Sequence, residues 1–407
     1  MLRKVVLCIR MSSKSSEGYI LFTLSAIQFT HVMDFMVIMP LGPQLMRIFD
    51  ISPAQFGLLV SSYTFTGGLF GLLGAIFIDR FDRKRALLYA YLGFVLGTYA
   101  CSLAPGFGSL MIARCITGAF GGLLGSLVLS VVGDLIPMER RATAMGKVMM
   151  GFSLASVAGV PFGLFLANHF GWHSTFVFLG TLSLTVVYGI VRFLPKMNSH
   201  RTDSEGLPPF RSLALILSDG NHLLALTVMF TLMFAQFFIV PFISPYMVSN
   251  AGMQETDLPL IYLFGGLSTL VVLPWAGKLA DRYGRLKVFT VFSIISLAVI
   301  LVLTHLPKVP VWMALVVTTF FFMSVSSRGV AATTMITTAV EPLYRGRFMS
   351  LNAAVQQFSA GLASWLAGFV IVKMPDGTLA NYNLLGWMAT GSAVICLFIA
   401  QKVKARS

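Results

Sequence analysis

Apolar runs of about twenty residues recur along this chain, a length that spans the roughly 30 Å hydrocarbon core of a bilayer at about 1.5 Å per helical residue. Twelve such windows can be drawn, at 19–41, 55–78, 86–104, 109–132, 144–167, 173–194, 222–246, 258–277, 288–305, 311–337, 348–372 and 386–402. Lipid offers no hydrogen-bond partners, so backbone at that depth must satisfy itself, and segments this long do so as helices. The windows predict an all-α integral membrane protein with twelve transmembrane helices. Composition agrees: 57% of residues are hydrophobic and 11% charged, against roughly 45–50% and about 25% in soluble domains.

The net charge of +14 would suggest nucleic acid in a soluble protein, so the position of the bases decides its meaning. Of 29 Lys and Arg, 24 fall at or beyond the window ends on one side, Arg47, Lys308 and Lys373 fall on the other, and Arg114 and Arg328 lie inside windows. Bases collect on the cytoplasmic side of a membrane. Both termini are therefore expected in the cytoplasm, and the charge reports topology, not nucleic-acid binding. Cys8, Cys101, Cys115 and Cys396 have no paired spacing, so neither a disulfide framework nor a metal site is expected. The opening MLRKVVLCIR has no small-residue cleavage site and is too short to span, and Met11 is an alternative start.

The polar stretch PKMNSHRTDSEGLPPFRS has six windows on either side. It reads as a linker, giving an N-terminal tail (1–17), a six-helix bundle (18–195), a cytoplasmic linker (196–218), a second six-helix bundle (219–403) and a C-terminal tail (404–407). The halves repeat. AIFIDRFDRKR follows the second window and GKLADRYGRLK the eighth, with Asp79 and Asp281 202 residues apart; Pro137 and Pro342 are 205 apart, as are Arg140 and Arg345. Two landmarks at nearly one offset argue for a duplication with parallel halves.

These turns resemble the G-x-L-x-D-R-x-G-R-[RK] signature of the major facilitator superfamily of secondary transporters. Gly277, Leu279, Asp281, Arg282, Gly284 and Arg285 match in the second copy; Asp79, Arg80, Arg83 and Lys84 match in the first, where Ala75 and Asp82 replace the glycines. Arg114 and Gly118 resemble the R-x-x-x-G element of the fourth span. Gly159, Pro161 and Gly163 resemble the G-V-P-x-G element of drug-efflux-like and sugar-efflux proton antiporters. The resemblance implies a major facilitator fold in the cell membrane, in bacteria the inner membrane, working as a monomer on a small-molecule substrate and protons. It implies that Asp79, Arg80, Arg83, Asp281, Arg282 and Arg285 form a cytoplasmic gate.

Asp34 is the one acid well inside a window, and an intramembrane acid is costly enough to point to function. By helical rise it lies about 10 Å below the outer end of its window and Arg114 about 8 Å below that of its own. In the resembled fold both windows line the central cavity, so the two can meet. The pair then either couples a proton to transport or permanently orients two helices. His31, one turn before Asp34, either shares that proton or packs. Gln28, Tyr63, Gln236, Asn352, Gln356 and Gln357 are polar groups inside windows that would line a substrate path, and Arg328 either meets substrate or bonds a neighbouring helix. The Phe-rich stretches FAQFFIVPF and TTFFFM either form an aromatic pocket wall or face lipid, which alone explains most Phe. Gly146, Gly151, Gly159 and Gly163 predict close helix approach, and Pro161 a bend.

The sequence holds no G-x-x-x-x-G-K-[ST] loop, no metal-spaced His pair and no catalytic constellation, so neither an ATP-driven pump nor an enzyme is expected, and no cofactor. The expected function is export of a small drug-like or sugar-like compound by proton antiport. The alternatives are a facilitator or proton-coupled importer and, from another class, a non-transporting membrane sensor.

Overall fold

The computed structural model describes residues 14–77, 82–195, 197, 209–341 and 345–406. Sixteen α-helices follow one another among them. The first half holds α1 (Lys14–Val37), α2 (Gly42–Ile48), α3 (Pro53–Phe77), α4 (Arg83–Ser102), α5 (Phe107–Leu135), α6 (Met138–Leu154), α7 (Val160–Phe170) and α8 (Trp172–Phe193). The second holds α9 (Pro209–Ser218), α10 (Gly220–Phe237), α11 (Ile243–Ser249), α12 (Leu258–Tyr283), α13 (Arg285–Thr304), α14 (Val311–Thr338), α15 (Arg345–Val370) and α16 (Tyr382–Ala400). A two-residue hairpin, β1 (Val372–Lys373) with β2 (Leu379–Ala380), precedes α16.

Ten helical stretches among the described residues are long and apolar enough to cross a membrane. Helices α4 and α15, of 20 and 26 residues, are as long but open on basic clusters, Arg83 to Arg85 and Arg345 with Arg347, which lower their hydropathy. Large apolar side chains such as Phe22, Val271 and Phe398 stand outward at 74%, 74% and 65% exposure. In water such a surface aggregates; in lipid it is the solvated face. The segment read as a linker ends in α9, whose Ile216 is buried, and its residues 198–208 lie outside those described.

Helices in lipid gain little from hiding apolar area from each other and associate through close packing, often at small residues. That is how α3 is held. On one side Gly67 and Gly71 meet Gly118 and Gly122 of α5 backbone to backbone: a Cβ at Gly122 would fall 2.0 Å from the Gly67 carbonyl oxygen, and one at Gly118 2.4 Å from that of Tyr63. On another side α3 packs on α15 of the second half, where a Cβ at Gly57 would lie 2.5 Å from the Ser364 carbonyl oxygen and one at Gly68 3.2 Å from Gln357. Gly151, Gly159 and Gly163 crowd α1 in the same way, through Ser25, Phe29 and Met33, whereas nothing lies within 4 Å of a Cβ at Gly146.

The bend expected at Pro161 takes a specific form. Between α6 and α7, residues Ala155–Gly159 form a π-helical turn. Pro161 sits in the first turn of α7, where its missing N–H leaves a helical bond unmade. The turn also touches the other half, since a Cβ at Gly266 of α12 would lie 2.9 Å from the Val157 Cα.

The ends of the helices define two faces. One carries the start of α1 and the residues after α16; there Arg406 pairs with Asp219 at 2.5 Å, its N–H donates to the Thr338 carbonyl, and Asn221 exchanges bonds with the Lys404 backbone. At the opposite face the halves are joined. Arg47 of α2 forms a two-pronged ion pair with Glu255, and Asn168 of α7 donates to the Glu255 carbonyl at 3.1 Å while accepting from Gln44 at 2.6 Å. A large apolar core around Phe56, Phe242 and Tyr246 fills the space beneath these contacts and draws on both halves.

Candidate functional site

Asp34 and Arg114, 80 residues apart in sequence, are side by side and wholly buried. Arg114 is held by α5, which approaches α3 through Gly118; Asp34 is held by α1. Arg114 Nη1 donates to Asp34 Oδ2 at 2.7 Å and to the Asp34 carbonyl at 3.1 Å. The Thr98 hydroxyl of α4 reaches Oδ1 at 3.4 Å, and the guanidinium lies 4.4 Å over the Tyr63 ring of α3. Four helices thus converge on one charge pair, with the cation–π contact covering a face of Arg114 that no carboxylate covers. Arg114 Nε and Nη2 make no hydrogen bond within the described residues. The pair is therefore under-bonded for its burial, and breaking it leaves a bare charge.

One turn along α1, the ring of His31 lies 6.4 Å from that of Tyr63 and 6.3 Å from that of Phe94, and neither ring nitrogen has a hydrogen-bond partner. The Tyr63 hydroxyl has none either. His31 lines a cavity of about 610 Å³ between the halves. Its wall is formed by Gln28 of α1, Gly67, Gly71 and Leu72 of α3, Gly121, Gly122 and Gly125 of α5, and Ala353, Ala354 and Gln357 of α15. It extends to Ser130, Met149, Gly346 and Arg347 at the face that carries the chain ends. The cavity is open toward that face and closed at the other.

Of the residues expected along a substrate path, Gln28 and Gln357 line this cavity, and Tyr63 stands behind it under Arg114. Gln236, Gln356 and Asn352 do not line it. Gln356 is one residue, about 100° of helix, away from Gln357. Asn352 is 1% exposed with its Oδ1 unpartnered, and Gln236 is half-buried. Arg328 is also absent from the lining; wholly buried, it donates from Nη1 to the Ser296 hydroxyl of α13 at 3.0 Å, the neighbouring-helix bond weighed above.

The charged turns sit at the same face as the cavity mouth. Asp79 and Arg80 lie outside the described residues. Arg83 pairs with Asp134 at 2.5 Å, and Arg285 donates to the Thr338 hydroxyl at 2.7 Å, so each binds the end of the fourth long helix of its own half. Asp281 is exposed and has no hydrogen bond or ion pair among the described residues, and Arg282 lies 5.3 Å over the Tyr283 ring. Gly284 explains a sequence difference between the copies. Its φ is +94, a conformation open to glycine, whereas Asp82 at the matching place has φ −59 and caps α4 by accepting from the Arg85 and Met197 N–H groups.

A cavity between two repeated helical halves, with a buried acid and base beside it and closure at one face, is the arrangement of a membrane solute transporter. The sequence matches the Major Facilitator Superfamily family model over residues 24–364 and again over 226–403, and the chain belongs to that family. It is 23% identical over 365 residues to the uncharacterized MFS-type transporter YbcL of Bacillus subtilis (strain 168), covering 89% of this chain and 91% of the relative. In fold it is similar to a bacterial homolog of the human lysosomal transporter Spinster in an inward-facing and occupied conformation (TM-score 0.76, 18% identity, 97% of this chain and 100% of that one). It is also similar to a D-xylose-proton symporter (TM-score 0.73, 16% identity, 93% and 96%). The protein is a multi-pass cell-membrane transporter, in keeping with a non-enzymatic role.

Proposed function

We propose that this transporter exports a small organic compound in exchange for protons, as a monomer of twelve spans in two six-helix bundles (18–195 and 219–403) with both termini in the cytoplasm. The observation that carries the reading is the buried Asp34 and Arg114 pair at the deep end of the cavity. A carboxylate held by one guanidinium N–H and a long bond from Thr98 exchanges its proton according to whether Arg114 stays on it. Protonation would cancel the charge that Arg114 compensates and free Nη1, so proton binding and helix packing answer to one another. His31, one turn nearer the cavity, is placed to relay that proton.

With the cavity mouth on the cytoplasmic side, the second charged turn is in a released state: Arg285 bonds within its own half and Asp281 has no partner among the described residues. In the alternate state Asp79 and Asp281, with Arg80 and Arg282, would latch that side shut and the Arg47 and Glu255 pair would part. Export is favoured by the Gly159, Pro161 and Gly163 element of span five. Similarity to a D-xylose-proton symporter supports a second reading, proton-coupled uptake.

The test uses inverted vesicles with an acid interior and a pH-sensitive dye, with sugars, nucleosides, amino acids and lipophilic cations added to wild type, Asp34→Asn and the Asp34→Asn, Arg114→Gln pair. Antiport predicts that one class discharges the gradient in wild type alone. Equal flux in folded Asp34 variants would leave a facilitator. Substrate-driven acidification in the opposite sense would make it an importer.

A further inference from the structure

Resting on the reading of the cavity as the solute pathway, we infer that its deep end is a site for an uncharged, hydrogen-bonding compound, and that it excludes organic cations. Among the described residues the wall contains no Asp or Glu, and Asp34, wholly buried and paired with Arg114, does not line it. A cation entering here would shed water with no counter-charge to meet it. An anion fares no better at depth: Arg114 is occupied and covered by Tyr63, and Arg347, the one Lys or Arg among the described wall residues, is at the mouth end.

What the deep end does offer is neutral donors and acceptors. Among the described residues both nitrogens of His31, half-buried in the cavity wall, lack a partner, as does the hydroxyl of Tyr63, which lies next to it behind the wall. A Cβ placed on Gly121 would lie 2.5 Å from the Tyr63 hydroxyl and 3.2 Å from His31 Nε2. Across the same space a Cβ on Gly67 would lie 3.7 Å from the Gln357 amide nitrogen. The His31 imidazole and the Gln28 and Gln357 amides supply donors and acceptors along this wall, and leaving them unbonded is costly. Beside them Gly125 of α5 leaves open space, since nothing lies within 4 Å of a Cβ there. Hydroxyl- or carbonyl-bearing compounds satisfy these polar groups without bringing a charge.

The experiment reads the charge preference of the site without needing its ligand. Gly125 lines the cavity and nothing lies within 4 Å of a Cβ there, so Gly125→Cys fits; Ser130→Cys, a near-isosteric change about one and a half turns nearer the mouth on the same helix, is the reference. In full-length protein with Cys8 and Cys115 replaced by Ser, labelling rates are compared for methanethiosulfonates carrying a methyl, a trimethylammonium or a sulfonate group. The expected result is a neutral-to-cation rate ratio at least tenfold higher at position 125 than at 130, with the sulfonate also disfavoured. Equal or inverted ratios overturn the inference, as does a position 125 that reacts only after denaturation. A third arm adds His31→Asn, which keeps a hydrogen-bonding group and removes the titration. If cations then react as readily as at position 130, a charged imidazole had repelled them and the site is one for anions. None of these results depends on flux, so failure here leaves the antiport reading to its own test.

Discussion

A guanidinium and a carboxylate with no solvent contact hold α1 to α5, and each is dangerous without the other. Arg114→Gln or Asp34→Asn alone should cost about 3–5 kcal/mol, because each strands a buried charge, whereas the double substitution should recover most of that loss. Thermal unfolding of the three variants in one detergent checks it; additive losses would mean that the pair is not coupled. The two residues were legible in the sequence because charge inside a span is rare. Thr98 was not, since a hydroxyl in a membrane helix usually bonds its own backbone, as Thr98 also does to Phe94. Gln357 and Gln356 were equally visible, and only the rotation of α15 separates them. Arg47 and Glu255 stood out as charges beyond the window ends, but their pairing across 208 residues depends on how the halves meet.

At the scale of elements, glycine decides what can touch. Gly122→Ala would drive a methyl group into the Gly67 carbonyl, so α3 and α5 must separate, and a loss of about 1–3 kcal/mol with changed cavity access is expected. Gly146→Ala, with open space at its Cβ, is the control and should be neutral or slightly stabilising. The small residues were readable as pairs four apart; which helix each pair serves was not. Gly284→Ala should cost about 1–3 kcal/mol through its positive φ, while Asp82→Ala should cost about 0.5–2 kcal/mol through loss of a cap. The same signature position thus fails for different reasons in the two copies. At the C-terminal end, burial pushes the Asp219 carboxyl up, but bonds from Arg406, His222 and Asn221 outweigh it and hold it below the usual carboxylate range. A depressed carboxyl lends stability above its unfolded pKa, about 3.9, and loses it as pH falls through the lower folded value. Protection of the Lys404 to Arg406 amides from hydrogen exchange, taken relative to the intrinsic rate at each pH, should therefore hold at neutral pH and fall only in strong acid, and Asp219→Asn should lower it at neutral pH but not in strong acid.

For the whole molecule, two halves meet along α3 with α15 and along the π turn with α12, and are locked at one face by Arg47, Glu255 and Asn168. The lock is partly exposed, with Arg47 at 65%, so it holds by about 0–1 kcal/mol. Glu255→Gln should shift the balance between conformations up to about fivefold toward opening at that face, read as faster thiol labelling near Asp50; an unchanged rate would assign closure to the apolar core alone. The helical class and the doubling of the chain were plain from apolar windows and repeated turns. The lock, the depth of the cavity and its glycine wall belong to tertiary contact and left no periodic mark.

The π turn at Ala155–Gly159 has one residue more than an α-helical path would use. Reabsorbing that residue would turn everything beyond it by about 100°. Asn168, the bridge between Gln44 and Glu255, rides on that rotated segment. The helix therefore holds a spare residue in its register, and spending it would swing the lock off its partner without stretching a single loop.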